Sequence, residues 1–219
     1  MPMRINRYIA LATGMSRRAA DRAIGEDRVT VNDINASAGQ SVQLSDIVRL
    51  DGGVITSTVP VTTIILNKPV GYVCSRDGQG SKTIYDLLPP ELRILKPVGR
   101  LDKDSSGLLL LTNDGELAHQ LTHPSFKKEK VYEVEINKPL RPEDKLKIER
   151  GIKIDDYMSC LRLAKIENCS WRIVMSMGRN RQIRRTFAAL GYNIVRLHRT
   201  KFGDYTLGDI KTGDFRQVN

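Results

Sequence analysis

Cysteine is scarce: three residues, Cys74, Cys160 and Cys169, are spread over 219 positions, odd in number and with no Cys-x-x-Cys spacing. That excludes a disulfide framework and a zinc ribbon, and the three read as ordinary apolar side chains. Histidine is as rare. His119 and His123 stand four apart, a helical spacing that can hold zinc, with Glu116 near but no further ligand set, so they read as a surface pair and no metal site is expected. No apolar run approaches the roughly 20 residues needed to cross a bilayer. The stretch from Ile9 to Met15, followed by Ser16-Arg17-Arg18, is too short and mixed for a signal-peptide core, which predicts a cytoplasmic protein without a membrane partner. Repeats and low-complexity tracts are absent. Acidic residues are outnumbered, 25 against 35 lysines and arginines, for a net charge of +10. That surplus calls for an acidic partner, nucleic acid first.

Against these absences one segment stands out. Gly99-Arg100-Leu101-Asp102-Lys103-Asp104-Ser105-Ser106-Gly107 sets Asp102 in a glycine-bounded loop between Arg100 and Lys103, and four leucines, Leu108 to Leu111, follow at once. Consecutive leucines predict a strand buried on both faces. A loop hung from such a strand can hold one reactive carboxylate still.

The rest of the chain divides around this point. Residues 4–12 predict a short helix with Ile5, Tyr8, Ile9 and Ala12 on one face. Ser16 is placed to cap a second helix, on which Arg17, Arg18 and Arg22 form a basic edge. Val29-Thr30-Val31, a turn at Asn32-Asp33 and a strand at Ile47-Val48-Arg49-Leu50 complete a small unit. Gly52-Gly53 opens a Thr-, Ser- and Val-rich stretch to about Val61, the expected linker. Beyond it come a strand from Val61 to Leu66, turning out at Lys68-Pro69-Val70-Gly71, and a helix near 116–122. Residues 130–136 alternate, with Tyr132, Val134 and Ile136 on one face. Pro142 and Gly151 bracket another helix. Then follow a strand from Trp171 to Met177, a helix from Asn180 to Leu190 and a strand from Ile194 to Leu197. Strands and helices mix without βαβ alternation, so the fold class is α+β with a mainly antiparallel mixed sheet.

Gly-Arg-Leu-Asp-x-x-Ser-x-Gly-Leu-Leu resembles the catalytic-aspartate motif of ribosomal RNA pseudouridine synthases, in particular the RsuA/RluB/RluF branch. The resemblance extends to Leu66-Asn67-Lys68-Pro69-Val70-Gly71, to Lys130-Val131-Tyr132 and to Gly178-Arg179-Asn180-Arg181-Gln182-Ile183-Arg184-Arg185, in the family's order over nearly the whole chain. It implies an alpha-L RNA-binding domain over residues 1–55 and a pseudouridine synthase catalytic domain over 62–219. Val31-Asn32-Asp33 departs from the family's Val-Asn-Gly, and Met177 and Thr186 stand where Glu or Gln and Met are common. The implied activity is isomerisation of uridine in ribosomal RNA, the large subunit favoured over the small. The implied partner is ribosomal RNA or a ribosome-assembly intermediate, and the protein is expected to be a monomer.

Breaking the C1′–N1 bond, turning the base and joining C1′ to C5 requires a carboxylate at the sugar and a hold on the freed base, with no metal or redox cofactor. The resemblance assigns the carboxylate to Asp102, with Arg184 as the arginine that keeps it ionised and oriented. It assigns base stacking to Tyr132, pocket packing to Ile183 and, to Arg100, the space left by the extruded uridine. Lys68 is read as a substrate contact or a support for the loop. Between Asn180 and Lys201 there are six lysines and arginines and no acid. A helix opening at Asn180 would offer N–H groups to phosphate, so Asn180, Arg181 and Arg185 join Arg17, Arg18 and Arg22 as expected RNA contacts. Two rivals stand beside this reading. A non-catalytic ribosome-assembly factor could use the same scaffold, although the chain keeps Asp102, Tyr132 and Arg184. A glycoside hydrolase needs two separated carboxylates, and Asp104, two residues from Asp102, is poorly placed for that.

Overall fold

The computed structural model describes residues 3–43, 45–56 and 60–218. The chain divides into two compact units, Met1–Val61 and Thr62–Asn219.

In the first unit, helices Ile5–Thr13 and Arg17–Gly25 pack Ile5, Tyr8, Ile9, Ala20, Ala23 and Ile24 onto Val29, Val31 and Val48. Gly14 ends the first helix at φ 76°, where a side chain would be strained. The Ser16 hydroxyl accepts the Ala19 N–H at 3.1 Å and starts the second helix. Ile34–Asn35, Val29–Val31, Val48–Leu50 and Gly53–Ile55 form a four-stranded sheet in that order. Asn32 and Asp33 turn the first hairpin with positive φ at both positions, 51° and 66°. Gly52-Gly53 does not open the linker. It lies in the turn of a further hairpin that returns Gly53–Ile55 against Val48–Leu50. Residues 57–59 of the expected linker lie outside the described residues.

The second unit is an α+β domain on a mixed sheet. Its main path runs Arg162–Lys165, Ser170–Met175, Lys130–Ile136, Ile194–Phe202, Ser106–Thr112, Thr63–Lys68, Phe215–Val218. Among the described strands every pairing in this sheet is antiparallel except one. Ile194–Phe202 runs parallel to Ser106–Thr112, with His198 opposite Ser106 and Arg199 opposite Gly107. Leu108 to Leu111 are each 0% exposed. Leu109 and Leu111 enter a core with Ile64, Leu66 and Ile84, while Leu108 and Leu110 face Ile65, Val98 and Phe202. Burial of each leucine contributes about 1.5–3 kcal/mol, so the strand that carries the Asp102 loop is among the firmest parts of the domain.

Two elements differ from the sequence reading near the site. The helix expected from Asn180 spans Gln182–Ala188, because Arg181 takes a left-handed conformation at φ 49° and the Gln182 side chain accepts the Arg179 N–H at 3.1 Å. The strand expected to stop at Leu197 continues through Arg199 to Phe202. Its charged residues hide the apolar alternation that would have announced a longer strand. Among the described residues no helix is long and apolar enough to cross a membrane.

Candidate active site

Asp102 opens a four-residue turn closed by the Ser105 N–H on the Asp102 carbonyl at 3.1 Å. Each carbonyl of this turn has a donor. Lys68 Nζ donates to Asp102 O at 3.1 Å and Ser105 O at 2.8 Å, and also to Pro69 O at 3.0 Å. The Gly71 N–H reaches Lys103 O at 2.7 Å, and Arg184 Nη2 reaches Asp104 O at 2.7 Å. Behind the turn, Gly107 sits at φ 102°, where an added Cβ would lie 2.3 Å from Arg199 O. Only glycine lets the two parallel strands approach this closely. Beneath it the Cys74 thiol donates to Leu101 O at 3.3 Å, and burial pushes the thiol pKa up. The loop is thus fixed through its backbone, which leaves the Asp102 side chain free of that task and 35% exposed.

That carboxylate faces a cleft of about 520 Å³ lined by Arg100, Asp102, Tyr132, Arg181, Ile183 and Arg199 among others. Tyr132 and Ile183, at 9% and 4% exposure, supply apolar wall. Arg100 and Asn180 are exposed residues of the cleft. Among the described residues the direct ion pair of Asp102 is with Arg181, while Arg184, the expected partner, acts on Asp102 through its charge from further away. Arg181 Nη1 stands 3.5 Å from Asp102 Oδ2 and binds both oxygens of Asp104, at 3.1 and 2.8 Å. Arg184 lies 3.2 Å from Asp104 through Nε and bonds the turn's backbone and the Ser105 hydroxyl instead. The left-handed turn at Arg181 is the cause, since it throws that side chain over the loop and sets Arg184 one helical turn further back. Hydrogen bonds from Arg181, with the charge of Arg184 behind them, hold the Asp104 carboxyl below the usual carboxylate range. Burial lowers the Arg184 pKa, with Asp104 opposing it. Asp104 is therefore consumed by two arginines and offers no second free carboxylate.

Of the two readings of Lys68, substrate contact and loop support, the structure shows the loop contacts. It is 0% exposed and does not line the cleft; its three donated bonds hold the loop from below. Burial pushes its pKa down from 10.5. Arg185 is not brought to the cleft but pairs with Asp155 beside the Tyr157 ring. The Gln182–Ala188 helix is too short, and begins too late, to present the N-terminal amides expected at Asn180. Arg17, Arg18 and Arg22 are exposed on one helix of the first unit. Lys130 and Arg199, which the sequence reading passed over, both line the cleft. Arg199 was visible only as one of six basic residues in its segment. Tyr132 and Arg199 lie directly opposite each other across adjacent strands. His119, His123 and Phe126 pack their rings together, the two histidines 4.8 Å apart. Among the described residues no group of three His, Cys, Asp or Glu side chains is arranged to hold a metal ion.

A carboxylate open to a basic cleft with an aromatic wall fits an enzyme that works on a polyanion. The family described as RNA pseudouridylate synthase matches residues 62–189. The chain is 35% identical to ribosomal large subunit pseudouridine synthase B of Bacillus subtilis, over 98% of this chain and 91% of that protein. It is 34% identical to ribosomal small subunit pseudouridine synthase A of Escherichia coli, over 99% and 96% respectively. A crystal structure of a pseudouridylate synthase superposes with a TM-score of 0.71 at 31% identity, covering 99% of this chain and 96% of that one. The chain belongs to the RNA pseudouridylate synthase family and is a pseudouridine synthase.

Proposed function

We propose that this enzyme isomerises uridine in ribosomal RNA, in large-subunit RNA before small, with Asp102 as the catalytic carboxylate. The observation that carries the reading is the Asp102 side chain, open to the cleft while its backbone is locked by Lys68 and Ser105. Addition to C1′, addition to C6 and removal of a sugar proton all need an ionised carboxylate near C1′ or C6 of an extruded nucleotide. Arg181, 3.5 Å away, favours that ionised form. Tyr132 stacks on the turned-out base, Ile183 packs its edge, and Arg100 enters the space the base leaves. Lys68 and Arg184 act as positioning residues through the turn. Asn180 and Arg181 follow the RNA strand at the cleft, and Arg17, Arg18 and Arg22 dock RNA on the first unit. Basic contacts of this kind make binding fall steeply with salt. Relatives acting on either subunit's RNA match almost equally, at 35% and 34% identity. The large-subunit preference rests on Lys103-Asp104-Ser105 and on residues 180–185. The site of action is the cytoplasm, on free RNA or an assembling particle, by a monomer.

The test uses transcripts of both ribosomal RNAs tritiated at uridine C5. Joining C1′ to C5 expels that hydrogen, so the wild type releases tritium and Asp102→Asn does not, while both bind RNA alike. Release by Asp102→Asn at the wild-type rate removes Asp102 from the chemistry. Salt-sensitive binding without release from any transcript or assembling particle favours the assembly-factor reading.

A further inference from the structure

Arg199 is 2% exposed, yet its guanidinium is not satisfied. Nε donates to Leu108 O at 2.8 Å across the parallel strand pair, and the guanidinium carbon lies 4.9 Å from the centre of the Phe202 ring. Nη2 is buried without an acceptor, and among the described residues no carboxylate pairs with this arginine. Leaving a buried charged donor unbonded costs more than the roughly 1–3 kcal/mol of a neutral one. A protein that keeps such a group beside its active site has an acceptor that arrives with the substrate. A second cation adds to the surplus. Lys130 Nζ lies 4.8 Å from the same Phe202 ring, bonded only to the carbonyls of Ser176 at 3.2 Å and Lys128 at 3.4 Å. The one carboxylate turned to the cleft and not consumed by other pairs, Asp102, already faces Arg181.

The geometry points to Arg199 as a catalytic residue that donates from Nη2 to an oxygen of the uracil ring and stabilises the ring as an anion when the glycosidic bond breaks. This rests on the isomerase reading above and deepens it. A side chain so buried reaches only what enters the cleft deepest, which excludes the backbone phosphates. Tyr132, the proposed stacking partner of the base, is its direct cross-strand neighbour on the same face of the sheet. When C1′–N1 breaks, the electron pair stays on the base, and the charge at N1 spreads to O2 and O4. The base then turns, C5 gives an electron pair to C1′, the C5 proton leaves to solvent, and N1 takes up a proton to give the neutral product. Arg199 stays protonated throughout, as arginine does in proteins. Half a turn about the axis through N3 and C6 exchanges N1 with C5, and it also exchanges O2 with O4. One fixed donor therefore meets a carbonyl oxygen before and after the turn. Preorganised donors aimed at developing charge typically contribute about 10²–10³ in rate.

The test compares wild type, Arg199→Lys and Arg199→Met under single turnover at saturating protein, on ribosomal RNA transcripts containing uridine or 5-fluorouridine, with the C5-linked nucleoside separated after digestion; the fluorinated product has no C5 proton to lose, keeps its fluorine and takes up water across N1 and C6. On uridine both variants slow by about 10²–10³, with RNA affinity close to wild type; the lost bond to Leu108 O lowers the melting temperature, so turnover is read where both variants are folded. On 5-fluorouridine, whose base is more acidic and departs more easily as an anion, the loss shrinks at least tenfold. Equal losses on both substrates, or a loss confined to RNA affinity, overturn the proposal and leave Arg199 as a brace between strands. Should the variants fail to fold, wild type alone decides on 2-thiouridine and 4-thiouridine transcripts. Sulfur accepts hydrogen bonds poorly, so at least one of them reacts tenfold slower although its base is more acidic; no slowing with either refutes the donor. A wild type active on uridine but indifferent to these changes defeats only the Arg199 assignment. A wild type inactive on every uridine transcript defeats the isomerase reading and this one with it.

Discussion

Lys68→Met separates a lysine that binds substrate from one that holds the loop. The substitution keeps much of the stem's volume and removes three donated bonds, to Pro69 O, Asp102 O and Ser105 O. Asp102 O retains the Ser105 N–H, so of the three carbonyls that lose the charged donor two are left without a replacement. Each buried acceptor left without its partner costs about 1–3 kcal/mol, or about 2–6 kcal/mol for the pair. Relief of the buried ammonium, whose penalty shows in its lowered pKa, offsets part of this. A net loss of about 3 kcal/mol lowers the melting temperature of a domain this size by roughly 6–12 °C. Freed from below, the turn lets Asp102 wander, and a displacement near 1 Å costs about 10²-fold in rate. The assay pairs thermal unfolding with single-turnover tritium release at a temperature where the variant is folded, together with RNA affinity. The expected result is a large loss of turnover with affinity within a few-fold of wild type. An unchanged melt with a selective loss of affinity would refute the argument and return Lys68 to the substrate.

Two further outcomes follow from the same structure. Gly107→Ala places a methyl group 2.3 Å from Arg199 O at φ 102°. It should cost at least about 3 kcal/mol through backbone strain and forced strand separation, read as a lower melting temperature; an unshifted melt would mean the parallel pair is looser than described. Asp144, 1% exposed, accepts from Lys147 and Arg141 Nε, each at 2.9 Å, and from the Tyr192 hydroxyl at 2.9 Å. Those bonds, Lys147 foremost, lower its pKa from 3.8 to about 2. Because the folded value is the lower one, its contribution is full above 3.8 and vanishes as pH falls towards 2. Melting temperature against pH should therefore drop more steeply between pH 4 and 2 for wild type than for Asp144→Asn, and parallel curves would contradict the assignment.

Local pattern determined much of this protein. Four adjacent leucines announced a strand buried on both faces, the short run directly after Gly107 favouring a strand over a buried helix. Alternation placed Tyr132 inward, Ser16 marked a helix start, and the glycine-bounded Asp102 loop marked the site. Each of these signals is carried by residues within a few positions of one another. Tertiary structure decided which charges meet. Ser106 lies 92 positions from its partner His198, and Asp104 lies 77 from Arg181. Nothing in local periodicity encodes such pairings. The exchange of Arg181 for Arg184 at Asp102 follows from one left-handed residue at the start of a helix. Burial of Lys68 and Arg199 was not legible in sequence, since lysine and arginine are rarely buried. Their burial follows from the sheet order, which stacks the Thr63–Lys68 and Ile194–Phe202 strands on either side of the leucine strand and turns both cations toward one loop and its cleft.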